Sequence, residues 1–172
     1  MFTDTRSVQV RQPVPHDLVG RRFTIAGVGH GFEGTVGWHV LDEDNNIVVE
    51  GGVQGGGMVV MDNFGIDVDL GDYSGGSQLV VEVFGDNPAD DEGEKPGFDT
   101  NRIPVVFGPA ILDDYTGFRL QQVQPGDTLS GIAAGQQYGT TTTDAVFAAN
   151  KDQLDDPDRI QPGQILRIPL VG

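Results

Sequence analysis

The C-terminal third of the chain carries the feature that most limits its fold. Two short apolar segments, residues 121–124 and 165–170, enclose two stretches with helical spacing. Pro125-Gly126 and Pro162-Gly163 are turn dipeptides, which end the first apolar segment and precede the second. The sequence therefore predicts a compact strand–helix–helix–strand unit over residues 119–172.

Both predicted helices have start signals, and the first also has a stop signal. Asp127 or Thr128 can cap the first helix, because their side-chain oxygens accept free backbone N–H groups of a first turn. Apolar residues follow from Leu129 at helical spacing, and Tyr138-Gly139 ends the helix, since glycine adopts the left-handed cap conformation without steric cost. The threonine run Thr140–Thr143 starts the second helix.

The order of these residues resembles the pattern of the LysM family. The matching residues are Val123, Gly126-Asp127-Thr128-Leu129, Ile132-Ala133, Tyr138-Gly139, Asn150 and Ile160–Pro169. The family binds polymers that contain N-acetylglucosamine, namely peptidoglycan and chitin. The resemblance implies a ligand of that class and a βααβ fold.

In a βααβ unit the loop before the first helix and the turn before the second strand lie at the same end, so they can form the walls of a shallow groove. Backbone groups there can bond an acetamido group, and Leu129 and Ile160 can provide an apolar floor. The resemblance implies a glycan-binding groove made of Gly126, Asp127, Thr128, Leu129, Ser130, Pro157, Asp158, Arg159, Ile160 and Gln161. The alternative is that several of these are ordinary cap and turn residues that only shape the fold. A single LysM copy also predicts weak affinity, since avidity comes from repeats.

Residues 7–107 have the two-residue period of β-strands rather than a helical period. The predicted strands are Ser7–Gln12, Arg22–Val28, Thr35–Leu41, Ile47–Glu50, Met58–Met61, Gly65–Leu70, Gln78–Phe84 and Arg102–Phe107. Residues 42–46 (DEDNN) are a strong hairpin signal, and glycines from Gly51 onward are expected to interrupt the partner strand. This spacing of strands and turns predicts a β-sandwich with Trp38 in its core.

This region resembles the Gmad2 family, an immunoglobulin-like domain of bacterial envelope and sporulation-associated proteins. The matching residues are the Val8–Pro13 start, Ile25 and Gly27, the string Phe32–Val36 followed by Trp38 and Val40, and Phe64. The predicted fold class is thus two-domain: an N-terminal all-β immunoglobulin-like sandwich plus a C-terminal α+β βααβ LysM domain. The predicted domains are residues 1–107 and 119–172, with a short linker at 108–118.

Composition excludes several classes of function. The chain has no cysteine, so neither disulfides nor a thiolate metal site can stabilise it. Its formal net charge is -16, which disfavours nucleic acid and anionic membrane surfaces, because phosphate neutralisation needs a Lys/Arg surface. We expect no nucleic-acid partner and no membrane insertion, since no run of eighteen apolar residues occurs.

No pattern for catalysis or metal binding emerges from the titratable residues. His16, His30 and His39 lack the spacing of a zinc site, and His39 is predicted to face solvent as an ordinary surface histidine. Glu82 alternates outward from its apolar strand. The acidic loop 86–94 is predicted to be solvated rather than to bind calcium, because its spacing differs from the EF-hand. We therefore predict no catalytic residue, no metal and no cofactor.

Two functional hypotheses follow. The first is a non-enzymatic protein of the cell envelope, whose groove binds peptidoglycan or another N-acetylglucosamine polymer and whose sandwich is a spacer or docks a protein partner. The alternative is a cytoplasmic adaptor or assembly protein that uses its LysM unit to bind protein partners. The absence of a signal-peptide pattern in the first twenty residues favours the alternative, and the groove pattern favours the first.

Overall fold

A computed structural model describes residues 8–30, 34–56, 61–85, 100–137 and 139–171. The elements of this described part are β1 (Val8–Gln12), β2 (Leu18–Val19), β3 (Arg22–Gly29), β4 (Thr35–Leu41), β5 (Ile47–Gln54), β6 (Asp62–Asp69), β7 (Gln78–Gly85), β8 (Asn101–Phe107), a 3-10 turn (Gly108–Ala110), β9 (Tyr115–Gln122), α1 (Leu129–Ala134), α2 (Thr143–Ala148) and β10 (Ile165–Val171). Strands come first and both helices lie near the C-terminus, which confirms the predicted fold class.

The chain divides into two compact units. The first consists of Met1–Pro15, Arg22–Tyr73 and Gln78–Val105, and the second of His16–Arg21, Ser74–Ser77 and Val106–Gly172. One sheet has the strand order β1-β3-β6, and a five-stranded sheet has the order β2-β8-β7-β4-β5. The pairs β1–β3, β3–β6, β4–β5 and β4–β7 are antiparallel, as expected for a sandwich built from hairpins.

The β4–β5 hairpin is where the sequence predicted it. The Asp42 carboxylate accepts the backbone N–H groups of Asp44 and Asn46 at 2.9 and 2.8 Å. The side-chain amide of Asn46 also donates to this carboxylate, and these bonds hold the pKa of Asp42 below its usual value. Asn45 adopts a left-handed conformation with φ 62°, which asparagine tolerates well in tight turns.

Strand β5 continues through the glycines that were expected to interrupt it. Gly51 lies directly opposite Trp38, and a Cβ atom on Gly51 would approach the indole ring to 2.9 Å. Glycine is therefore needed there because the ring lies over the backbone of β5. Trp38 is 7% exposed, which confirms its place in the core.

The predictions that Glu82 points to solvent and that His39 is a surface histidine are wrong. Strand alternation does place Glu82 and His39 on the sheet face opposite Val81 and Val83. That face is also buried, since Phe84, which lies on the same face as Glu82, is only 3% exposed. The side chains of Glu82 and His39 are only 5% and 13% exposed. Strand alternation thus predicted correctly which sheet face carries these two side chains, but not that this face is buried.

The buried carboxylate of Glu82 has polar side-chain partners on both neighbouring strands. Arg102 on β8 donates a hydrogen bond from Nη1 to Oε1 of Glu82. His39 Nδ1 lies 3.5 Å from Oε2 of Glu82, and His39 Nε2 lies 3.3 Å from Oε2 of Glu50 on β5. The four side chains form a row across β8, β7, β4 and β5, which we call the charged row.

The charged row makes a stability prediction for the first unit. Arg102→Met removes the cation that pairs with Oε1 of the buried Glu82 carboxylate, so we expect a loss of about 2 kcal/mol in unfolding free energy, reduced from the fully buried case because Arg102 is half exposed. The double variant Glu82→Gln/Arg102→Met should recover part of this loss, because no charge is then left buried. Calorimetric unfolding measures both, and a double variant less stable than Arg102→Met alone would contradict the prediction.

The second unit contains the predicted strand–helix–helix–strand order. Strands β9 and β10 pair antiparallel, with Gln122 opposite Ile165 and Phe118 opposite Pro169. Its apolar core consists of Val123, Leu129, Ile132, Ala133, Val146, Leu154, Leu166 and Ile168. Both helices and both strands contribute to this core. Neither six-residue helix is long enough to persist alone, so packing rather than propensity holds them.

A second apolar cluster in this unit involves residues outside the predicted LysM segment. Leu18, Val106 and Ala149 are buried together, and Tyr115 and Phe118 pack against them. The Tyr115 hydroxyl donates to the carbonyl oxygen of Leu18 at 3.2 Å. Burial raises the pKa of this hydroxyl, and the Asp17 carboxylate raises it further.

The segment 108–118, predicted as a short linker, has regular structure of its own. It contains the 3-10 turn and the first residues of β9, and β2 pairs in parallel with Val106 and Phe107. A Cβ atom on Gly108 would lie 2.6 Å from the Tyr115 ring, so glycine allows the ring to lie against the backbone. The second unit thus gathers residues from well before the βααβ segment.

Asn150 is a fully buried polar residue whose hydrogen bonds join α2 to β10. Its Nδ2 donates to the carbonyl oxygens of Val146 and Arg167 at 2.7 and 2.8 Å. Its Oδ1 accepts from Arg167 N at 2.9 Å and from Gln153 Nε2 at 3.0 Å. The Arg167 guanidinium also pairs with both Asp152 carboxylate oxygens at 2.7 and 3.1 Å.

We predict that Asn150→Ala lowers the unfolding free energy of the second unit by about 2–3 kcal/mol, because buried backbone groups of β10 and α2 lose their partners. The change is measured as a shift in the unfolding transition of the second unit, by calorimetry or by urea unfolding. The matched control is Lys151→Ala on the exposed neighbour, with an expected change within about 0.5 kcal/mol. Equal effects of the two substitutions would show that the amide network is not stabilising.

Candidate functional site

The loop between β9 and α1 is held by local hydrogen bonds. Gly126 has φ 92°, which glycine adopts at no steric cost in the turn after Pro125. Oδ2 of Asp127 accepts the backbone N–H of Gln124 at 2.8 Å. Thr128 is the N-cap of α1, since its hydroxyl accepts the N–H of Gly131 at 3.0 Å. Of the two predicted caps, the structure therefore selects Thr128 for the helix and uses Asp127 to brace the turn.

The loop before β10 is organised around Asp156. Its carboxylate accepts the backbone N–H of Asp158 at 2.9 Å, and its carbonyl accepts the N–H of Arg159 at 3.1 Å. The Arg159 guanidinium lies 3.3 Å from the same carboxylate, with the side chain 84% exposed. Gln161 N donates to Gln164 Oε1 at 3.1 Å, which joins the end of this loop to the turn that precedes β10.

These two loops enclose one cavity of about 190 Å³. It is lined by Asp127, Thr128, Leu129, Ser130, Thr143, Pro157, Asp158 and Ile160. Seven of the ten predicted groove residues are thus brought together. Gly126, Arg159 and Gln161 do not line the cavity; they lie in the turns that shape its walls. Contact of any of the ten with a ligand stays a prediction.

The structure adds one residue that the sequence analysis did not place in the groove. Thr143 is the first residue of α2, after Thr142, whose hydroxyl caps that helix by accepting from Ala145 N at 3.0 Å. The threonine run signalled a helix start, but nothing in its spacing showed that this start faces the loop before α1. Tertiary packing of α1 against α2 decides that placement.

The apolar floor of the cavity differs in part from the expected one. Leu129 is 2% exposed and belongs to the core of the second unit, so its surface is largely used for packing. Ile160 is partly exposed and packs against that core, and Pro157 borders the cavity beside it. The apolar surface offered to a ligand therefore comes mainly from the second loop.

The cavity carries three hydroxyl groups that can orient a polar ligand. Those of Thr128 and Ser130 lie 3.3 Å apart, and Thr143 contributes the third. A hydroxyl both donates and accepts, so it suits ligands such as sugars whose own hydroxyl and amide groups do the same. The volume lies below the roughly 300 Å³ of a drug-sized pocket, which suits one part of a polymer rather than a whole small molecule.

A wider concavity on β3 and β6 of the first unit is a weaker candidate. It has about 440 Å³ and is lined by Arg22, Phe23, Thr24, Asp67, Val68 and Asp69. Arg22 Nε already donates to Asp69 at 2.9 Å, and the Thr24 hydroxyl donates to Asp67 at 3.2 Å. Much of its polar surface is therefore satisfied by cross-strand pairs.

Within the ranges that the structure describes, no group of three or more His, Asp or Glu side chains is arranged to hold a metal ion. The acidic loop 86–94, considered above for calcium, lies outside the described residues, as does the predicted strand start at 58–60. None of the helices in the described part of the chain has the length and apolar character needed to cross a bilayer.

Comparison with known families matches both parts of the chain. The Gmad2 model, described as an immunoglobulin-like domain of bacterial spore germination, matches residues 7–92, which is half of the chain. The LysM model matches residues 122–169, which lie in the second unit; we call the second unit the LysM unit and the first the Gmad2 unit. The chain belongs to the Gmad2 family and carries a C-terminal LysM domain. Both expected resemblances are confirmed, in the expected order, and both families are non-catalytic binding modules.

Two curated relatives share part of the chain. The potassium binding protein Kbp of Escherichia coli O6:H1 is 47% identical over 72 residues, which cover 37% of this chain and 48% of Kbp. An uncharacterized protein of Deinococcus radiodurans is 38% identical over 77 residues, 42% of this chain and 30% of that protein. The chain thus spans half or less of the curated relatives it matches. No solved structure matches the chain.

We predict that Thr128→Val lowers the unfolding free energy of the LysM unit by about 1 kcal/mol, because it removes the hydroxyl that caps α1 while keeping the shape of the side chain. Thr128→Ser keeps the oxygen and serves as the matched control, with most of the stability retained. Urea unfolding measures both. If valine and serine have the same effect, the cap is not a source of stability.

Proposed function

We propose that the chain is a non-enzymatic protein of the bacterial cell envelope whose LysM groove binds glycan that contains N-acetylglucosamine, with peptidoglycan as the polymer. The observation that carries this proposal is the cavity itself. Loops more than twenty residues apart in the chain, both singled out by the LysM pattern, meet around one opening that has an apolar side and several hydroxyls.

The cavity walls match the two kinds of surface on an N-acetylglucosamine unit. Pro157 and Ile160 offer apolar contact to the acetamido methyl group and to the C–H face of the sugar ring. Thr128, Ser130 and Thr143 offer hydroxyls to the amide and to the ring hydroxyls. A pocket of mixed character with a few fixed polar groups orients such a ligand without enclosing it, so the polymer can continue on either side.

The Gmad2 unit is proposed as a spacer or as the docking surface for a protein partner. The polar groups of its charged row and of its β4–β5 hairpin are largely paired with one another, which suits a stable support more than a reactive centre. In this proposal the LysM unit contacts the wall polymer, and the sandwich presents or connects it to another envelope component.

The test is sedimentation of the purified protein with insoluble peptidoglycan. We predict that the parent pellets and that Ser130→Trp pellets at least about tenfold less, because an indole on this exposed lining residue fills a cavity of about 190 Å³. Leu129 is unsuitable as the test position, since it is buried in the core and its replacement by a charge would unfold the unit.

Leu120→Trp on β9 is the matched control. Leu120 is 63% exposed and does not line the cavity, so the same indole there should leave pelleting unchanged.

Running each assay in K⁺ and in Na⁺ buffer also tests whether K⁺ takes part in binding, because one relative is named a potassium binding protein. A parent protein that stays in the supernatant in both buffers would overturn the glycan proposal and favour protein partners instead.

A further inference from the structure

We infer that the LysM groove discriminates by charge, binding glycan whose sugars are uncharged and disfavouring glycan that carries free carboxylates. This inference rests on the proposed function and specifies its ligand further. In peptidoglycan every second sugar has a lactyl group, which is neutral while amide-linked to a stem peptide and anionic once the peptide is removed. The selected ligand is therefore an N-acetylglucosamine polymer without acidic groups, or wall glycan whose lactyl carboxyls are present as neutral amides, rather than glycan with free lactyl carboxylates.

The charges at the cavity are the first observation. Of the described residues that line it, Asp127 and Asp158 are acidic and none is a lysine or arginine. The segments that flank it, 125–131, 142–144 and 155–161, contain five aspartates and one arginine. A ligand in the cavity thus meets negative charge from both loops.

The fixed position of these charges is the second observation. Asp127 is held by the hydrogen bond from Gln124 N at 2.8 Å, so it does not depend on a ligand for its orientation. The single arginine, Arg159, does not line the cavity, and its guanidinium lies 3.3 Å from Asp156 Oδ2. The arginine is therefore engaged with a carboxylate of its own loop and leaves Asp127 and Asp158 without a cationic partner from that side chain.

Elementary electrostatics sets the size of the effect. In water, two like charges about 4 Å apart repel enough to weaken binding about fivefold. The repulsion is screened at high salt, since the Debye length falls from about 30 Å at 0.01 M to about 3 Å at 1 M ionic strength. Charge discrimination therefore has a signature that steric exclusion lacks, because steric exclusion does not respond to salt.

The experiment compares two oligosaccharides of equal length on the full chain by calorimetric titration. Both alternate N-acetylglucosamine with N-acetylmuramic acid, and they differ only in whether the lactyl groups are free carboxylates or carboxamides. We expect the carboxylate form to bind about fivefold more weakly at 0.01 M ionic strength, and the ratio of the two Kd values to fall below about twofold at 0.5 M.

Variants assign the effect to the groove. The double variant Asp127→Asn/Asp158→Asn should bring the Kd ratio close to one at low salt, because asparagine keeps an accepting oxygen for Gln124 N and removes the charge. Asp44→Asn, in the exposed β4–β5 turn, makes the same chemical change outside the cavity and should leave the ratio unchanged.

The outcomes separate the two proposals. If neither oligosaccharide binds the parent, the proposed function fails. If both bind equally, or if the fivefold ratio persists at high salt or in the asparagine double variant, glycan binding stands and the charge inference is overturned. A stronger affinity for the carboxylate form would overturn it as well.

Discussion

The LysM unit depends on the packing of two helices that could not exist alone. Each has six residues, so the free-energy cost of nucleating the helix exceeds the stabilisation from its own hydrogen bonds. Burial of Leu129, Val146 and Leu166 in one apolar core supplies the missing stability, and Asn150 joins α2 to β10 with three hydrogen bonds. The groove is a consequence of this packing, because its walls are the chain segments that enter α1, α2 and β10.

The Gmad2 unit depends on correct strand pairing as well as on its buried apolar core. Its strands are specified by cross-strand pairs, among them Trp38 over Gly51 and His39 between Glu50 and Glu82. A buried ion pair is weak support for stability, but losing one partner is costly, so the charged row specifies strand pairing more than it adds free energy. A strand shifted by one residue would place Glu82 among apolar side chains without its cation.

The sequence predicted features that depend on local chemistry and missed those that depend on distant packing. Turn dipeptides, caps and alternation located β4, the hairpin at Asp42 and the start of α1 correctly, because each is decided within a few residues. Residues far away in the chain decide three features that the sequence did not predict. These are the burial of Glu82, the contact of Tyr115 with Leu18 and the position of Thr143 in the groove. Periodicity identifies a face of an element but not what covers it.

The groove shows why this difference matters for function. The family pattern identified its two loops, since their turn and cap residues carry the signal, yet some of the same residues serve the fold. Leu129 is needed by the core and Thr128 by the helix cap, so neither can vary freely with the ligand. Ser130 and Asp158 are exposed, line the cavity and are absent from the core and the helix cap. Specificity within such a domain is therefore most free to change at these positions, and here Asp158 brings negative charge.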